Sequence, residues 1–411
     1  MMIKHGLLGQ RLGHSHSPRI HSMFGLQGYE LFQVPPDELE AFLGGGNLAG
    51  LNVTNPYKKT VARFCHTLSE SARQSGSVNT LLFDGKGRIH GHNTDYAGFL
   101  SMANRAGVSF SGRKVVLLGN GGAAATASLA ARKRGAREVV NISRRGEHNF
   151  GNLERHADAD VLVNCTPVGT YPQNDEAIVD IDKFHSLKGV LDLVYNPLRT
   201  KLAVDAEERG IPSEGGLYML AEQAREASAY FQNKSIPEAE TKRVFSQLCR
   251  EIENVVLVGM PGCGKNAVGR EVARLLKRRL VDTDELIELQ TGRSPAEWIT
   301  QDGERAFRDV ETRVTRQATR ESGIVLTTGG GGILRPENRL AMRQTGRVYW
   351  LLRPLNELAT KGRPLSVNLD ELFEKRRGAY EAASNCKINI NGNPEKAARL
   401  IVEEFHKHAA A

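Results

Sequence analysis

A glycine-rich segment in the second half of the chain has the composition of a phosphate-binding loop. Gly259, Gly264 and Lys265 match the pattern GxxxxGK between the apolar run NVVLVG (254–259) and a helical pattern. In this context the N–H groups of the turn, including that of Gly262, can bind the β-phosphate of a nucleotide, and the lysine adds a positive charge. Asn266 stands where such loops carry Ser or Thr, whose hydroxyl binds Mg²⁺. The segment predicts a nucleotide site with an unusual metal ligand.

A second glycine pattern lies in the first half, between the apolar run VVLLG (115–119) and a helical segment. It reads GxGxxA, a dinucleotide fingerprint in which the first glycine makes the turn and the second admits the pyrophosphate. After the next strand, where an NAD enzyme places an acidic residue, the chain carries two arginines, which favour the 2′-phosphate of NADP. The predicted NADP(H)-binding residues of this region are Gly119, Gly121, Gly122, Ala123, Ser143, Arg144 and Arg145.

The elements that must position these residues alternate between apolar, β-rich runs and helical stretches. Continuous apolar strands separated by helices predict parallel sheets covered on both faces, so the predicted fold class is α/β. A helical pattern that ends near residue 252 runs almost directly into the strand at 254–259, which predicts a domain boundary there. The predicted strands are residues 114–119, 138–143, 160–165, 189–194, 254–259, 323–328 and 347–352.

Length and composition argue against several classes of protein. The 411 residues are 40% apolar and 25% charged, enough for several domains, and no apolar run approaches the length of about 20 residues that a membrane helix needs. The five scattered cysteines contain no CxxC pair, which argues against a disulfide framework and a zinc site. A net charge of +8 without a Lys/Arg block favours anionic small molecules over nucleic acid. No secretion signal is evident, so we expect a cytoplasmic protein without membrane partners.

Several segments follow the phosphate loop in a fixed order: VDTDELIE (281–288), GERAFRDVE (303–311), TGGGG (328–332), GRPLS (362–366) and RRGAY (376–380). With the loop, they make residues 253–411 closely resemble shikimate kinase. The resemblance implies the cofactors ATP and Mg²⁺, with Asp282 holding the metal through its water shell and Asn266 in doubt as a ligand. The implied catalytic residues are Lys265, Asp284 and Arg363, the last on a lid. The implied shikimate-binding residues are Arg308, Gly330 and Arg376.

Residues 1 to about 250 resemble shikimate dehydrogenase. The segments that carry this resemblance lie at 6–24, 50–59, 75–81, 91–99, 162–170, 191–197 and 215–227. It implies reduction of the 3-keto group of 3-dehydroshikimate by NADPH, with Lys58 and Asp95 as the catalytic pair that handles the proton. Leu193 and Gly216 match contacts near the nicotinamide. The implied substrate-binding residues are Ser15, Ser17, Thr54, Asn79, Tyr195 and Gln223.

The two resemblances together predict a bifunctional enzyme that makes shikimate and then shikimate 3-phosphate. Its expected architecture is a two-lobed dehydrogenase with a Rossmann-like NADP domain, followed by a P-loop parallel-sheet domain of the nucleoside-monophosphate-kinase type. We assign the dehydrogenase substrate domain to 1–97 plus 219–250, the NADP domain to 98–218 and the kinase domain to 253–411. Monomer and homodimer both remain open.

Two other interpretations rest on single features. Because of Asn266, the second half could bind nucleotide or shikimate without turning it over. An NAD-dependent quinate/shikimate oxidoreductase working in the oxidative direction is disfavoured by Arg144 and Arg145. His14 and His16 alternate in a way that metal ligands can, but no acidic residue or cysteine stands close in sequence, so local hydrogen bonding around the substrate loop is preferred.

Overall fold

The computed structural model describes residues 4–13, 15–45, 47–358, 368–390 and 392–410. The chain divides into two compact units, Met1–Phe245 and Ser246–Ala411, called here the N-terminal and C-terminal units. The division falls inside helix α8, Ala239–Ile252. In the described part of the chain no helix is both long and apolar enough to cross a membrane, and none of the five cysteines forms a disulfide.

The first sheet of the N-terminal unit is mixed. Its strands are β1 Lys4–Gly9, β2 Tyr29–Gln33, β3 Leu48–Val53, β4 Thr67–Leu68, β5 Thr80–Phe83 and β6 Ile89–His92. The order is β2-β1-β3-β5-β6-β4, and β5 runs antiparallel to both of its neighbours. Leu39, Leu43 and Ala72 pack against the strands from the short helices. The helices near this sheet are α1 Ser17–Met23, α2 Leu39–Gly44 and α3 Glu70–Ser75.

The second sheet of this unit is entirely parallel and covered on both faces. Its strands are β7 Lys114–Leu118, β8 Glu138–Ile142, β9 Val161–Asn164, β10 Gly189–Asp192 and β11 Ser213–Gly215. Val115 and Leu117 face one core while Val116 and Leu118 face the other, which explains why the strand reads as a continuous apolar run. The helices that follow or flank these strands are α4 Asp95–Arg105, α5 Gly122–Lys133, α6 Lys201–Glu208 and α7 Gly216–Phe231.

The strand order of this sheet identifies where a ligand should bind. The order is β11-β10-β9-β7-β8, so the chain moves to one side after β7 and to the other side from β9 onward. In open parallel sheets, ligands bind at the carboxyl ends of the strands beside such a reversal. The turn after β7 that begins at Gly119 lies at this point.

The C-terminal unit contains a third sheet, also parallel. Its strands are β12 Asn254–Gly259, β13 Leu280–Asp282, β14 Val325–Thr327, β15 Gly346–Leu352 and β16 Cys386–Asn389, in the order β13-β14-β12-β15-β16. Gly303, with a φ of 86°, kinks the longest helix. The helices are α9 Lys265–Leu276, α10 Thr283–Thr291, α11 Pro295–Ala318, α12 Pro336–Thr345, α13 Leu369–Ala383 and α14 Pro394–Ala410. The predicted α/β class with parallel sheets is confirmed.

Short 3₁₀ helices complete the described secondary structure. They connect the strands and longer helices of both units. Their bounds are Thr60–Phe64, Phe150–His156, Ile181–Lys183 and Leu355–Glu357.

Candidate active sites

A cavity of about 280 Å³ in the N-terminal unit brings together residues from distant parts of the sequence. Loops after β1, β3 and β10 line it together with the start of α4 and the inward face of α7. Every catalytic and substrate-binding residue predicted for this unit lies on its wall. The predicted residues that line it are Ser15, Ser17, Thr54, Lys58, Asn79, Asp95, Ala123, Leu193, Tyr195, Gly216 and Gln223.

Lys58 and Asp95 form an ion pair at this cavity. The Nζ atom of Lys58 lies 2.6 Å from Oδ2 of Asp95, and the two side chains are 17% and 7% exposed. Asp95 is the first residue of α4, where the helix N-terminus favours a carboxylate. The lysine is therefore held with its charge facing the cavity, where it can donate a proton to a bound ligand.

Asn79 is fixed by a buried hydrogen-bond network. Its Oδ1 accepts from the backbone N–H of Thr94 at 2.7 Å, and its Nδ2 donates to Oγ1 of Thr94 at 2.9 Å and to Oε1 of Gln223 at 3.4 Å. Asn52 donates from Nδ2 to Thr80 at 3.0 Å and accepts from the Tyr29 hydroxyl at 2.8 Å. These amides are oriented before any ligand arrives, which limits the entropy lost on binding.

The serine pair lies at the entrance to α1. Oγ of Ser15 donates to Oγ of Ser17 at 3.1 Å and accepts from the Ser17 backbone N–H at 3.2 Å.

His14 lies outside the described residues, and the ring of His16 lies 6.1 Å from that of Tyr195. His21 is buried, which lowers its pKa to about 3 and keeps the ring neutral. Within the described ranges, no group of three or more His, Cys, Asp or Glu side chains is arranged to hold a metal.

The predicted dinucleotide turn has the geometry that its glycines require. Gly119 has a φ of 123°, and a Cβ there would lie 3.1 Å from Cγ2 of Thr166 and 3.3 Å from the carbonyl of Cys165. Helix α5 follows at once, with Gly121 as its N-cap and no side chain capping the first N–H groups. These N–H groups and the close backbone approach fit a pyrophosphate.

The residues after β8 form a compact surface turn. The hydroxyl of Ser143 donates to the carbonyl of Arg145, and the Ser143 backbone N–H donates to His148 at 3.2 Å. Arg144 and Arg145 are both exposed. Two exposed guanidinium groups beside the carboxyl end of the strand next to β7 fit an added phosphate on the ribose.

The glycine-rich loop of the C-terminal unit turns tightly between β12 and α9. Gly259, Gly262 and Gly264 have φ values of 153°, 85° and 100°, which are unfavourable for residues with a Cβ. Nζ of Lys265 donates to the carbonyls of Gly259 at 2.9 Å and Met260 at 3.1 Å. The lysine charge thus lies against the loop that would hold the phosphates. A cavity of about 350 Å³ opens beside it, lined by Gly262, Gly264, Lys265, Asn266, Asp282, Asp284 and Gly330 among others.

Asp282 and Asn266, the predicted Mg²⁺-binding residues, both line this cavity. Oδ1 of Asp282 accepts from the N–H groups of Asp284 and Glu285, and Oδ2 accepts from the Thr327 hydroxyl at 2.6 Å. A carboxylate has about four lone-pair sites, so one remains, enough for a metal-bound water. Asn266 is exposed on the cavity wall. The donor set fits a hydrated Mg²⁺ that also binds phosphate oxygens.

Arg308 is buried and Asp284 is half-buried beside the glycine run (328–332). Arg308 donates from Nη1 to Glu311 at 2.7 Å and from Nη2 to Glu304 at 2.9 Å. Burial raises the pKa of Asp284 to about 6, and the charges of Asp282 and Glu311 add to the shift. A Cβ at Gly331 would lie 2.3 Å from Nη2 of Arg308, so any side chain at this position would displace the guanidinium.

Arg376 and Gly330 lie on the same side of this unit. Arg376 is 6% exposed, and its Nη1 has no hydrogen-bond partner among the described residues. The hydroxyl of Tyr380, one turn later on α13, donates to the carbonyl of Gly330 at 2.7 Å. A Cβ at Gly330 would lie 2.6 Å from Pro261 in the phosphate loop. Arg363 lies outside the described residues.

Sequence reasoning missed the residues that hold the predicted ones in place. Thr94 orients the side chain of Asn79 and Asn52 donates to its backbone carbonyl, while Glu311 and Tyr380 fix Arg308 and Gly330. Local signals existed for some of them. Asn52 interrupts an otherwise apolar strand, and Glu311 follows Arg308 at the spacing of a helical charge pair.

Parts of the chain match known families and solved structures. Residues 261–406 match shikimate kinase, and residues 7–81 match the shikimate dehydrogenase substrate binding domain. The "Shikimate dehydrogenase (NADP(+))" of Clostridium perfringens is 34% identical over 267 residues, covering 60% of this chain and 98% of the relative. That of Methanopyrus kandleri is 38% identical over 265 residues, covering 56% of this chain and 91% of the relative.

Two solved structures are also similar to this chain. A chorismate mutase/shikimate 5-dehydrogenase fusion protein from Clostridium acetobutylicum has a TM-score of 0.57 and 34% identity, covering 60% of this chain and 97% of its own. A shikimate 5-dehydrogenase from Thermus thermophilus, solved with NADP(H) and shikimate, has a TM-score of 0.53 and 29% identity, covering 59% and 98%. The chain therefore belongs to the shikimate dehydrogenase family and, with a shikimate kinase domain in its C-terminal unit, is a fusion of the two.

Proposed function

We propose that this chain reduces 3-dehydroshikimate to shikimate with NADPH and then phosphorylates shikimate with ATP to give shikimate 3-phosphate. The observation that carries the first step is the single cavity where Lys58, Asp95 and the predicted substrate-binding residues meet. The matching relatives include NADP⁺-dependent shikimate dehydrogenases, which supports the same step. The second step is supported by the match to shikimate kinase and by the phosphate loop.

In the reductive step, the residues of the chain handle the proton and the position of the ring. NADPH supplies the hydride when it is bound at the turn after β7. Lys58 donates a proton to the developing alkoxide, and the ion pair with Asp95 fixes the position of its Nζ atom at the cavity. Asn79 and Gln223 can donate and accept hydrogen bonds at once, which suits a ring with several hydroxyls.

In the phosphorylation step, Asp284 orients the attacking hydroxyl. Its raised pKa makes it a better proton acceptor than an ordinary exposed aspartate. Arg308 and Arg376 bind the carboxylate of shikimate, because a guanidinium group matches a carboxylate with two parallel hydrogen bonds. Lys265 and the N–H groups at the start of α9 hold the phosphates. Asp282, with Asn266, would hold the Mg²⁺ that offsets charge on the phosphates.

Both activities can be tested on one purified sample. We expect NADPH oxidation that depends on 3-dehydroshikimate and ADP formation that depends on shikimate. Absence of the first would contradict the dehydrogenase assignment. If only the second is absent at high Mg²⁺, the C-terminal unit is a binding module, the alternative that Asn266 favours because this position lacks a hydroxyl.

The role of Asn266 has its own experiment. A Ser hydroxyl binds Mg²⁺ directly, whereas the longer Asn side chain fits better through a bridging water. We expect Asn266→Ser to lower the Mg²⁺ concentration needed for half-maximal ADP formation, and Asn266→Ala to raise it. Equal Mg²⁺ requirements in all three proteins would mean that residue 266 has no part in holding the metal.

A further inference from the structure

A buried carboxylate that the proposed mechanism does not use lies beneath the dehydrogenase site. Asp192 is the last residue of β10 and is 1% exposed. Its Oδ1 accepts from Nδ2 of Asn164 at 2.9 Å and from the backbone N–H of Val194 at 3.0 Å, and its Oδ2 accepts from the Thr200 hydroxyl at 2.6 Å. Three donors, one at the end of β9 and two in the connection between β10 and α6, thus converge on one side chain.

One branch of this network leads to the cofactor turn. Asn164, paired with Asp192 in the sheet register, accepts at Oδ1 from the Thr166 backbone N–H at 3.0 Å and from its hydroxyl at 2.7 Å. Thr166 in turn lies against Gly119, where a Cβ would be 3.1 Å from its Cγ2. The position of Asn164 therefore sets the wall against which the dinucleotide turn packs.

The other branch leads to the substrate cavity. The Val194 N–H is bound to Asp192, and the Val194 carbonyl accepts from the N–H of Gly216 at 2.9 Å. Leu193 and Tyr195, on either side of Val194, both line the cavity. The Thr200 hydroxyl also accepts from the Ala203 N–H at 3.3 Å, so the start of α6 is tied to the same carboxylate.

Both oxygens of Asp192 act as acceptors in this arrangement. An asparagine at 192 could keep the two N–H donors only by turning its NH₂ towards Thr200, whose hydroxyl would then have to accept instead of donate, and the hydrogen bonds to a charged group would be lost. Burial raises the pKa of Asp192 to about 7, which means that an ionised carboxylate at this position costs folding free energy. An apolar core residue would avoid this cost, but it would leave the Val194 N–H and the Thr200 hydroxyl without this acceptor, and Asn164 Nδ2 would keep only the Val168 carbonyl at 3.1 Å.

We infer that Asp192 is a positioning residue that fixes the cofactor turn and the Leu193–Tyr195 segment relative to each other. Through Asn164 and Thr166 it sets where the dinucleotide binds, and through Val194 it sets where Tyr195 meets the substrate. The inference rests on the proposed dehydrogenase function. A shift of about 1 Å between reacting groups can cost as much as about 100-fold in rate. The hydrogen bonds of Asp192 therefore affect the rate of hydride transfer.

The test separates the two branches in the full chain. Thr166→Val removes the hydroxyl that binds Asn164 but keeps a methyl group against Gly119, and Thr200→Val removes the hydroxyl that binds Asp192. Thr200→Ser keeps that hydroxyl and is the matched control. We expect Thr166→Val to raise KM for NADPH about tenfold with KM for 3-dehydroshikimate little changed, and Thr200→Val to raise KM for 3-dehydroshikimate. Asp192→Asn should raise both, while Thr200→Ser stays near the parent.

A purely structural role predicts a different pattern, in which melting temperature falls and both KM values stay unchanged. That pattern in Thr166→Val and Thr200→Val would overturn the inference, even if Asp192→Asn fails to fold. NADP⁺ binding measured by calorimetry gives a readout that does not need turnover, and Thr166→Val should weaken it. If the parent chain has no dehydrogenase activity, the proposed function is contradicted. The cofactor branch of the inference can still be tested in that case, because calorimetry measures NADP⁺ binding without turnover.

Discussion

Replacing Lys58 by alanine should separate its catalytic role from its structural one. Loss of a positioned general acid typically costs about 10²- to 10⁴-fold in rate, which corresponds to roughly 3–5 kcal/mol of activation free energy. The variant also leaves Asp95, 7% exposed, without its cation. Breaking a fully buried pair costs about 3–5 kcal/mol of folding stability, but this pair borders a cavity that water can enter, so we expect roughly 1–2 kcal/mol.

The assay follows NADPH oxidation by absorbance and yields kcat and KM, with the melting temperature measured on the same samples. Lys86→Ala is the matched control because Lys86 is an exposed lysine of the same unit that does not line the cavity. We expect Lys58→Ala to lose kcat with a small change in KM, because the lost interaction belongs mainly to the transition state. A kcat within about tenfold of the parent would refute proton donation by Lys58.

The remaining predictions concern cofactor choice, substrate binding and stability. Replacing Arg144 and Arg145 by alanine should raise KM for NADPH about 10- to 100-fold and leave KM for NADH unchanged, measured by steady-state kinetics; equal effects on both would reject the 2′-phosphate contact. Gly331→Ala should displace the Arg308 guanidinium and raise KM for shikimate in the ADP-release assay, with KM for ATP as the internal control. Burial raises the pKa of Glu226 to about 7, so its ionisation opposes folding as pH rises from its unfolded-state value of about 4.3 towards 7. Glu226→Gln should therefore raise the free energy of unfolding above pH 7 and leave it unchanged near pH 4, as urea denaturation can determine.

The sequence was sufficient to predict the parts of the sites that depend on local backbone conformation. The turn at Gly119 and the loop from Gly259 to Lys265 each combine a buried strand, at least one glycine with positive φ and a helix start. Such features are local, so a short pattern predicts them. The parallel sheets were predictable for the same reason, since strands buried on both faces read as unbroken apolar runs.

Contacts between distant segments could not be read in the same way. Asn79 meets Gln223, and Thr327 meets Asp282, only because strand order brings their elements together. Single-sequence patterns carry no information on strand order, so the resemblances supplied which residues share a site. The support given to Asn164 by Asp192 was missed because each residue, taken alone, reads as an ordinary strand end.

The unpartnered atoms of the C-terminal unit have a consequence for selectivity. Oδ1 of Asp284, Oε1 of Glu311, Oγ1 of Thr328 and Nη1 of Arg376 are buried without hydrogen-bond partners among the described residues. A buried polar atom without a hydrogen-bond partner costs free energy. A ligand that supplies matching hydroxyls and a carboxylate removes this cost, whereas a deoxy analogue leaves it in place. Sites of this kind can reject the analogue by a factor of about 10⁴. The C-terminal unit would then discriminate between ring polyols mainly because a wrong ligand leaves these four protein atoms without hydrogen bonds. The shape of the cavity would contribute less.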